Sequence, residues 1–416
     1  MGGTHPSLDI VGEYGSQLSG KCVVLGVTGS VAAYRAVDVA RWLMRRGARV
    51  RVVLTREAAR LVTPTLFHWA TGSRPLVGLT GEVEHIELAR TCDSMAVAPA
   101  TLSSTSKIAW GITDNPVTLT AVSMRGMGKP VILFPAMHGN MADTHEYREA
   151  TAALARKGYI VVHPLMAGGL AKFHDPRLVA RLISAITLRG RDMDGMRVLV
   201  TAGATREWID PVRFISNPSS GRMGVEAAIE AYARGARVTL LHGHVEVEVP
   251  AVVDSVEAVT TEEMAGRIRE LTAEAEYDLL VAAAAPADYR PASFHPSKIP
   301  SGGRLTLELE PTPKVLASLA RRPRVLVAFA AETVGSIEEL EARAREKMEK
   351  YGSDIIVGNI VGVGGSGFAS LRDTGVILTR TGKSMRFAGI LKEDLARMLM
   401  DASLELMGRE VARGGP

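Results

Sequence analysis

Short apolar runs alternating with amphipathic stretches set the plan of this chain. Residues 22–27, Cys-Val-Val-Leu-Gly-Val, make a continuous apolar run of strand length. A stretch with helical periodicity follows to Arg46, Gly47 is placed to end it, and residues 50–55 read as the next strand. The same plan returns later: a strand at 197–201, a long connection, a helix over 221–234, Gly235, and a strand at 238–241. Both return strands are introduced by near-identical words, RRGARV and ARGARV, which is recurring βα grammar rather than duplication. Further apolar runs lie at 94–98 and 130–134, and then at 278–285, 324–329 and 354–357, each followed by small and polar residues. Unbroken apolar strands separated by helices predict an α/β protein with two doubly wound parallel-sheet domains, because such strands are covered on both faces.

The pattern also divides the chain. Residues 1–19 form a tail, 20–188 a first domain, 189–195 a linker and 196–416 a second domain. The wider stretch 183–195, containing ITLRGRDMDG, reads as the connection because it is charged and Gly-flanked between two apolar patterns. Residues 338–350 form a highly charged helix whose simplest reading is a solvated face.

Composition narrows the functional classes. At 416 residues, 46% hydrophobic and 23% charged, the chain is ordinary globular material with room for two cores. A net charge of +4 without a basic block interleaved with aromatics argues against nucleic acid and for small anionic ligands. The two cysteines, Cys22 and Cys92, offer neither a disulfide framework nor metal-ligand spacing. The first twenty residues lack the pattern of a signal peptide, and no apolar run approaches a membrane span, so a cytoplasmic protein is expected.

Ligands of open parallel sheets bind beyond the carboxyl ends of the strands, so the chemistry is sought there. Thr28-Gly29-Ser30 follows the first strand, Thr55 ends the second, and Ala98-Pro99-Ala100-Thr101 ends the third, with Ser103 and Ser104 behind it. These groups suit one phosphate. A mononucleotide such as FMN fits better than NAD, because no acidic residue ends the second strand to bind a ribose. His85 alternates with apolar residues in Glu84-His-Ile-Glu-Leu88 and is a candidate acid–base group, although a lone histidine there is more often structural. Residues 134–141, Phe-Pro-Ala-Met-His-Gly-Asn-Met, end a fourth strand in a Pro turn with polar and thioether side chains, or else a loop with core-facing methionines.

In the second domain the informative stretch is 201–224, TAGATREWIDPVRFISNPSSGRMG. A connection this long inside a compact domain is functional or disordered, and Trp208, Ile209, Phe214 and Ile215 argue against disorder. Its Gly, Ser and Asn residues, a helix start at SSGRMG, and Arg206, Arg213 and Arg222 suit an anion. Asp288 and Arg290 stand just beyond another strand, where Asp288 can hold a metal ion or a sugar hydroxyl. Lys298 can neutralise a polyphosphate. Phe329 and Glu332 end a further strand, fit to hold a base and its ribose. Lys347 and Lys350 lie a turn apart and can reach phosphates, or are plain surface charges.

Taken together, 201–224, AAAAPADYR at 282–290 and AFAAET at 328–333 resemble the phosphopantothenate–cysteine ligase half of the bifunctional coenzyme A biosynthesis family. GVTGSVAAYR at 26–35, EHIEL at 84–88, APAT at 98–101 and PAMHGNM at 135–141 resemble its flavin-dependent phosphopantothenoylcysteine decarboxylase half. The resemblance runs over roughly residues 20–405 and the halves come in the family's order. It implies a flavodoxin/Rossmann-like flavoprotein domain followed by a Rossmann-like ligase domain. In the ligase half, CTP and Mg²⁺ would activate the carboxylate of 4′-phosphopantothenate as an acyl-nucleotide, which cysteine's amine then displaces. In the decarboxylase half, the thiol of phosphopantothenoylcysteine would be oxidised on FMN to a thioaldehyde, CO₂ lost, and the product reduced to 4′-phosphopantetheine.

Residue by residue, the resemblance assigns catalytic roles to His85, Asn217 and Lys298. The flavin would be held by Gly29, Ser30, Thr55, Ala98, Thr101, Ser103, Met137, His138 and Asn140. The nucleotide and substrate would be held by Arg206, Ser219, Ser220, Gly221, Arg222, Ala282, Ala283, Ala284, Asp288, Pro313, Lys314, Val315, Leu316, Phe329, Lys347 and Lys350, with Asp288 also as a metal ligand. Two positions depart from the family: His138 replaces an Asn, and the substrate flap, 167–176, has no cysteine to protonate the product. Lys172 and His174 are the substitute donors. The family further implies homo-oligomers: trimers of flavoprotein domains, dimers of ligase domains, and dodecamers built from both. Two other readings stay open here: an active ligase whose flavoprotein domain serves assembly, and a non-enzymatic flavin-binding regulator. A bound flavin with CO₂ release separates the first of these from the bifunctional enzyme. The ligase motifs weigh against the second.

Overall fold

The structure, a computed structural model, describes residues 5–361 and 370–411. It divides into two compact units between Gly190 and Arg191, and each is an α/β layer structure.

Unit one is built on a five-stranded parallel sheet. Its strands are β1 (Cys22–Val27), β2 (Arg49–Leu54), β3 (Ser94–Ala100), β4 (Val131–Pro135) and, beyond one short strand, β6 (Ile160–Val161), in the order β2-β1-β3-β4-β6. Every residue of β1, β3 and β4 is buried, as an apolar run sandwiched between helix layers requires. Val24, Val97 and Leu133 from adjacent strands pack with Ile108 and Met124 from the covering helices into one core. A small antiparallel sheet stands apart, formed by β5 (Met137–His138), β7 (Leu165–Ala167) and β8 (Leu170–Lys172) in the order β5-β8-β7.

Unit two carries eight strands in one sheet. In chain order they are β9 (Arg197–Ala202), β12 (Arg237–His242), β13 (Asp254–Glu257), β14 (Leu279–Ala282), β17 (Val325–Glu332), β18 (Ile355–Ile360), β19 (Arg372–Thr379) and β20 (Ser384–Leu391). The order is β13-β12-β9-β14-β17-β18-β19-β20, parallel as far as β18 and antiparallel across β19 and β20. Two hairpin-like pairs project from it: β10 (Arg206–Trp208) with β11 (Phe214–Ser216), and β15 (Tyr289–Pro291) with β16 (Leu309–Pro311). Leu199, Leu280 and Leu326 align across neighbouring strands and form one core with Leu241, Met264 and Ile268.

Three sequence-based expectations are corrected. The stretch 183–195 is not a linker throughout, because the helix Pro176–Arg189 runs through its first half and buries Ile183, Ala185 and Ile186. Only from Gly190 does its charged, Gly-flanked composition prevail. The apolar run 278–285 is a strand only over Leu279–Ala282; beyond it the backbone turns out of the sheet to bond Thr201 and Gly203. Cys22 and Cys92 do form a disulfide, with Cα atoms 4.5 Å apart across a sequence separation of 70. Because β1 pairs directly with β3, the residue opening β1 lies beside the segment entering β3, and Asp93 fastens that junction by accepting the Cys22 amide at 2.7 Å.

Candidate active sites

In unit one, three adjacent parallel strands end in capped helices. Ser30 accepts the amide of Ala32, Thr55 that of Ala58, and Thr101 that of Ser104, so each hydroxyl starts a helix at the carboxyl edge of the sheet. Thr28 ties the first end to the third, donating to the Pro99 carbonyl and accepting the Thr101 amide at 2.9 Å. The peptide joining Ala98 to Pro99 is cis. At Gly29 a Cβ would lie 2.6 Å from the Glu57 Cβ, so only glycine lets the two strand ends approach. Ser103 faces solvent, whereas Ser104 turns inward to Thr101.

His85 sits in the first turn of the helix Glu84–Thr91. Glu84 accepts both the amide and the hydroxyl of Thr80, and these local bonds favour the helical start. Val83 before it holds φ at 53°, a costly conformation for a β-branched residue and therefore a constrained entry. The His85 Nδ1 is buried and has no hydrogen-bond partner. An orphaned, buried ring nitrogen fits a site completed by a ligand.

The loop after β4 docks onto the flap. Gly139 donates to the Gly169 carbonyl at 2.9 Å, and a Cβ there would meet that oxygen at 2.3 Å. Met137 pairs in register with Ala171, while His138 bonds Asn140 through Nδ1 at 2.9 Å. Of the two flap donors, Lys172 is exposed on β8, and His174 is buried with its Nε2 bonded to the His163 carbonyl at 2.7 Å. The geometry therefore brings Lys172, and not His174, to the accessible face.

In unit two the connection 203–221 crosses the carboxyl edge of β9. Gly203, at φ 77°, passes so close to β12's exit that a Cβ would lie 2.3 Å from the His244 carbonyl oxygen. Buried Glu207 then accepts the amide and hydroxyl of Thr261, at 2.8 and 2.7 Å. Asn217 donates to the carbonyls of Ala285 and Pro286 at 3.2 and 3.0 Å, joining ISN to the APAD turn. Ser219 and Ser220 are buried beside Gly221, which caps the helix Arg222–Ala233. Arg206 lies over the Phe214 ring at 4.6 Å; its Nε and that of Arg222 are buried without partners, as expected of cations awaiting an anion.

Around this edge lie the remaining candidates. Ala282 ends β14, and Ala283 and Ala284 turn past Thr201. Asp288 pairs with Lys314 at 2.6 Å, both exposed; Pro313 precedes the short helix Val315–Ser318, whose Val315 and Leu316, like Ala282 and Ala284, pack against the core that contains Leu280 and Leu326. Phe329 is half-buried on β17, and Glu332 at its end binds Lys347 at 2.5 Å and Arg343 at 3.3 Å. Burial pushes the Glu332 carboxyl up, but these two cations outweigh it and hold it below the ordinary range. Lys298 and Lys350 are exposed. Among the described residues no group of three His, Cys, Asp or Glu gathers to hold a metal, so Asp288 stands as a lone carboxylate. A cavity of about 500 Å³ opens at the opposite, amino end of β9, β14 and β17, lined by Arg197, Arg321, Arg322 and Arg324. Arg322 is committed to Asp354 and Arg324 reaches the carbonyl of Met407.

Sequence reading passed over Asp210, Glu207, Thr205 and Thr261. Thr205 bonds Thr261 at 2.8 Å and the amide of Ala287 at 2.9 Å, so these groups fix the loop's backbone. Their only sequence signal was the Asp-Pro turn at 210–211.

The comparisons agree with this division. The family model described as Flavoprotein matches residues 11–188, and the one described as DNA/pantothenate metabolism flavoprotein C-terminal domain matches 193–406. The Coenzyme A biosynthesis bifunctional protein CoaBC of Thermococcus kodakarensis is 40% identical over 92% of this chain and 95% of its own length. The chain belongs to the bifunctional coenzyme A biosynthesis family. The proteins of the same name from Vibrio parahaemolyticus and Methanocaldococcus jannaschii are each 32% identical, over 94% and 85% of this chain and 99% and 87% of their own. As a member of the family the chain is a flavoprotein and an enzyme with decarboxylase and ligase activities toward pantothenate-derived substrates and cysteine. No helix among the described residues is long and apolar enough to cross a membrane.

Proposed function

We propose that unit two joins cysteine to 4′-phosphopantothenate through an acyl-cytidylate made from CTP, and that unit one converts the resulting phosphopantothenoylcysteine to 4′-phosphopantetheine with FMN. The observation that carries the ligase reading is the pair of buried, partnerless Nε atoms on Arg206, which opens β10, and on Arg222, the first residue of the helix that Gly221 caps. Guanidinium groups left unpaired at a helix N-terminus favour an anion strongly. Asn217, tethered through its amide nitrogen, offers its oxygen as an acceptor to the incoming amine of cysteine; Lys298 and Lys347 meet the triphosphate; Phe329 and Ala282–Ala284 hold the base and ribose. Asp288, paired here with Lys314, would hold Mg²⁺, which would supply neutralisation of the triphosphate's charge.

In unit one the capped strand ends hold the FMN phosphate, with Gly29 admitting it closely and Ser30, Thr55, Ala98, Thr101 and Ser103 around it. Bound there, FMN supplies a two-electron acceptor and later donor. His85 moves protons through its unpartnered Nδ1, the Met137–Asn140 loop orients the substrate, and Lys172 on the flap provides the final proton. The family reading further implies homo-oligomers, as trimers of unit one and dimers of unit two that combine into a dodecamer. The phosphorylated substrates place the reactions in the cytoplasm.

The ligase reading is tested by giving purified protein 4′-phosphopantothenate, CTP and Mg²⁺ without cysteine. An acyl-cytidylate with pyrophosphate release is expected, collapsing to the amide when cysteine is added. Release of inorganic phosphate with an acyl-phosphate would overturn it. The flavin released by heat is expected to be FMN; FAD would contradict the unit-one assignment.

A further inference from the structure

Lys298 stands in the long connection between β15 and β16, where nearly every residue from 292 to 305 is exposed and no regular element holds it. A flexible lysine there would spend much of its time away from a nucleotide. Two main-chain hydrogen bonds bracket it instead. The His295 amide donates to the Ile209 carbonyl at 3.0 Å, and the Ile299 amide donates to Asp210 Oδ2 at 3.2 Å.

Asp210 is fully buried, and all its bonds serve this junction. Its Oδ1 accepts the amides of Val212 and Arg213 at 2.8 Å each, closing the Asp-Pro-Val-Arg turn. Its Oδ2 takes the Arg213 guanidinium at 3.1 Å together with the Ile299 amide. The carboxylate thus joins the tip of the β10–β11 pair to the residue next to Lys298. Burial alone would raise its pKa, but three amides and the Arg213 charge outweigh that and hold it below the usual range, so the clamp stays charged at neutral pH.

We infer that Asp210 is a positioning residue of the ligase: it clamps the Lys298 segment onto the anion loop so that the lysine faces the triphosphate, and it does so only as a charged acceptor. The inference rests on the role assigned to Lys298 above.

The test is a double-mutant cycle with hydrogen exchange as a second readout. Asp210→Asn keeps an acceptor for the turn but sets an NH₂ or a neutral oxygen against Ile299. We expect its KM for CTP to rise about tenfold, as for a lost charge-assisted contact, with a smaller change in kcat. In the Lys298→Ala background the same substitution is expected to leave KM for CTP unchanged, because the lysine it positions is gone. Multiplicative effects of the two substitutions would overturn the inference while leaving the ligase reading intact. A fully active Lys298→Ala protein would instead sink the role of the lysine and the inference with it. Should Asp210→Asn fail to fold, the unaltered protein carries the test. Its Ile299 and His295 amides are expected to exchange at least tenfold more slowly than those of Ser301–Gly303, and equal rates would refute the clamp.

Discussion

Gly221 offers the sharpest quantitative test of how the anion loop is built. It holds φ at 72°, and a Cβ added there would lie 2.3 Å from Val245 Cγ1 and 3.2 Å from the Gly203 Cα. Gly221→Ala therefore carries two separable penalties. The left-handed backbone costs about 1–2 kcal/mol for an L side chain, and forcing a methyl into a packed contact costs about 1–3 kcal/mol. For a unit of this size each kcal/mol lowers the midpoint by about 2–4 °C, so the sum of about 2–5 kcal/mol corresponds to roughly 4–20 °C. The assay is the temperature at which ligase activity is lost on brief heating, measured for the unaltered protein, Gly221→Ala, Val245→Ala and the double variant. Relative to Val245→Ala alone, the double variant is expected to show only the backbone part, about 2–8 °C. If Val245→Ala recovers nothing, the loop does not close against Val245 as described, and the account of the helix start is wrong.

Other expectations follow from single observations. Unfolded, unreduced protein is expected to show no titratable thiol; reduction should lower the midpoint of unit one, since releasing a 70-residue closure costs up to about 4 kcal/mol. Two free thiols would refute the pairing. Tyr147 is buried under the Met137–Ala171 pair with its hydroxyl unpartnered and its pKa pushed up to about 12 by burial. Tyr147→Phe should therefore leave the fold intact and stabilise it by about 1 kcal/mol, whereas a loss of more than that in denaturant melts would expose a missed partner. Glu332 has a depressed folded pKa, so its stabilisation is present above the unfolded value of 4.5 and is lost as pH falls through the lower folded value. The difference in melting temperature between Glu332→Gln and the unaltered protein should hold at pH 7 and vanish in acid; a difference independent of pH would contradict this. His85→Gln is expected to abolish CO₂ release while leaving ligase turnover unchanged, and retained decarboxylation would remove His85 from the mechanism.

Much of this was legible in the chain because the decisive signals are local. Apolar runs at Val23–Leu25, Met95–Ala98 and Leu279–Val281 announce buried parallel strands, and Ser30, Thr55 and Thr101 are recognisable caps at their ends. What escaped depends on contacts distant in sequence. The Cys22–Cys92 pairing needs the β1–β3 adjacency, and the Asp210 clamp needs a segment almost ninety residues away. The strand Ser384–Leu391 went unread because it is a half-exposed edge element with polar residues interleaved, and Arg372–Thr379, though mostly buried between two neighbours, because Arg372, Asp373 and Thr374 break its apolar run. Flap histidine His174 was equally opaque, its commitment to the His163 carbonyl being visible only in three dimensions.

The central claim is that one chain carries both reactions, although its flap lacks a cysteine. The most direct measurement is mass spectrometry of the product formed by FMN-loaded protein from 4′-phosphopantothenate, cysteine, CTP and Mg²⁺, with CO₂ trapped in parallel. The account predicts 4′-phosphopantetheine and an equal amount of CO₂. Accumulation of phosphopantothenoylcysteine would contradict it by leaving unit one without its reaction, and no product with either CTP or ATP would contradict it for both units.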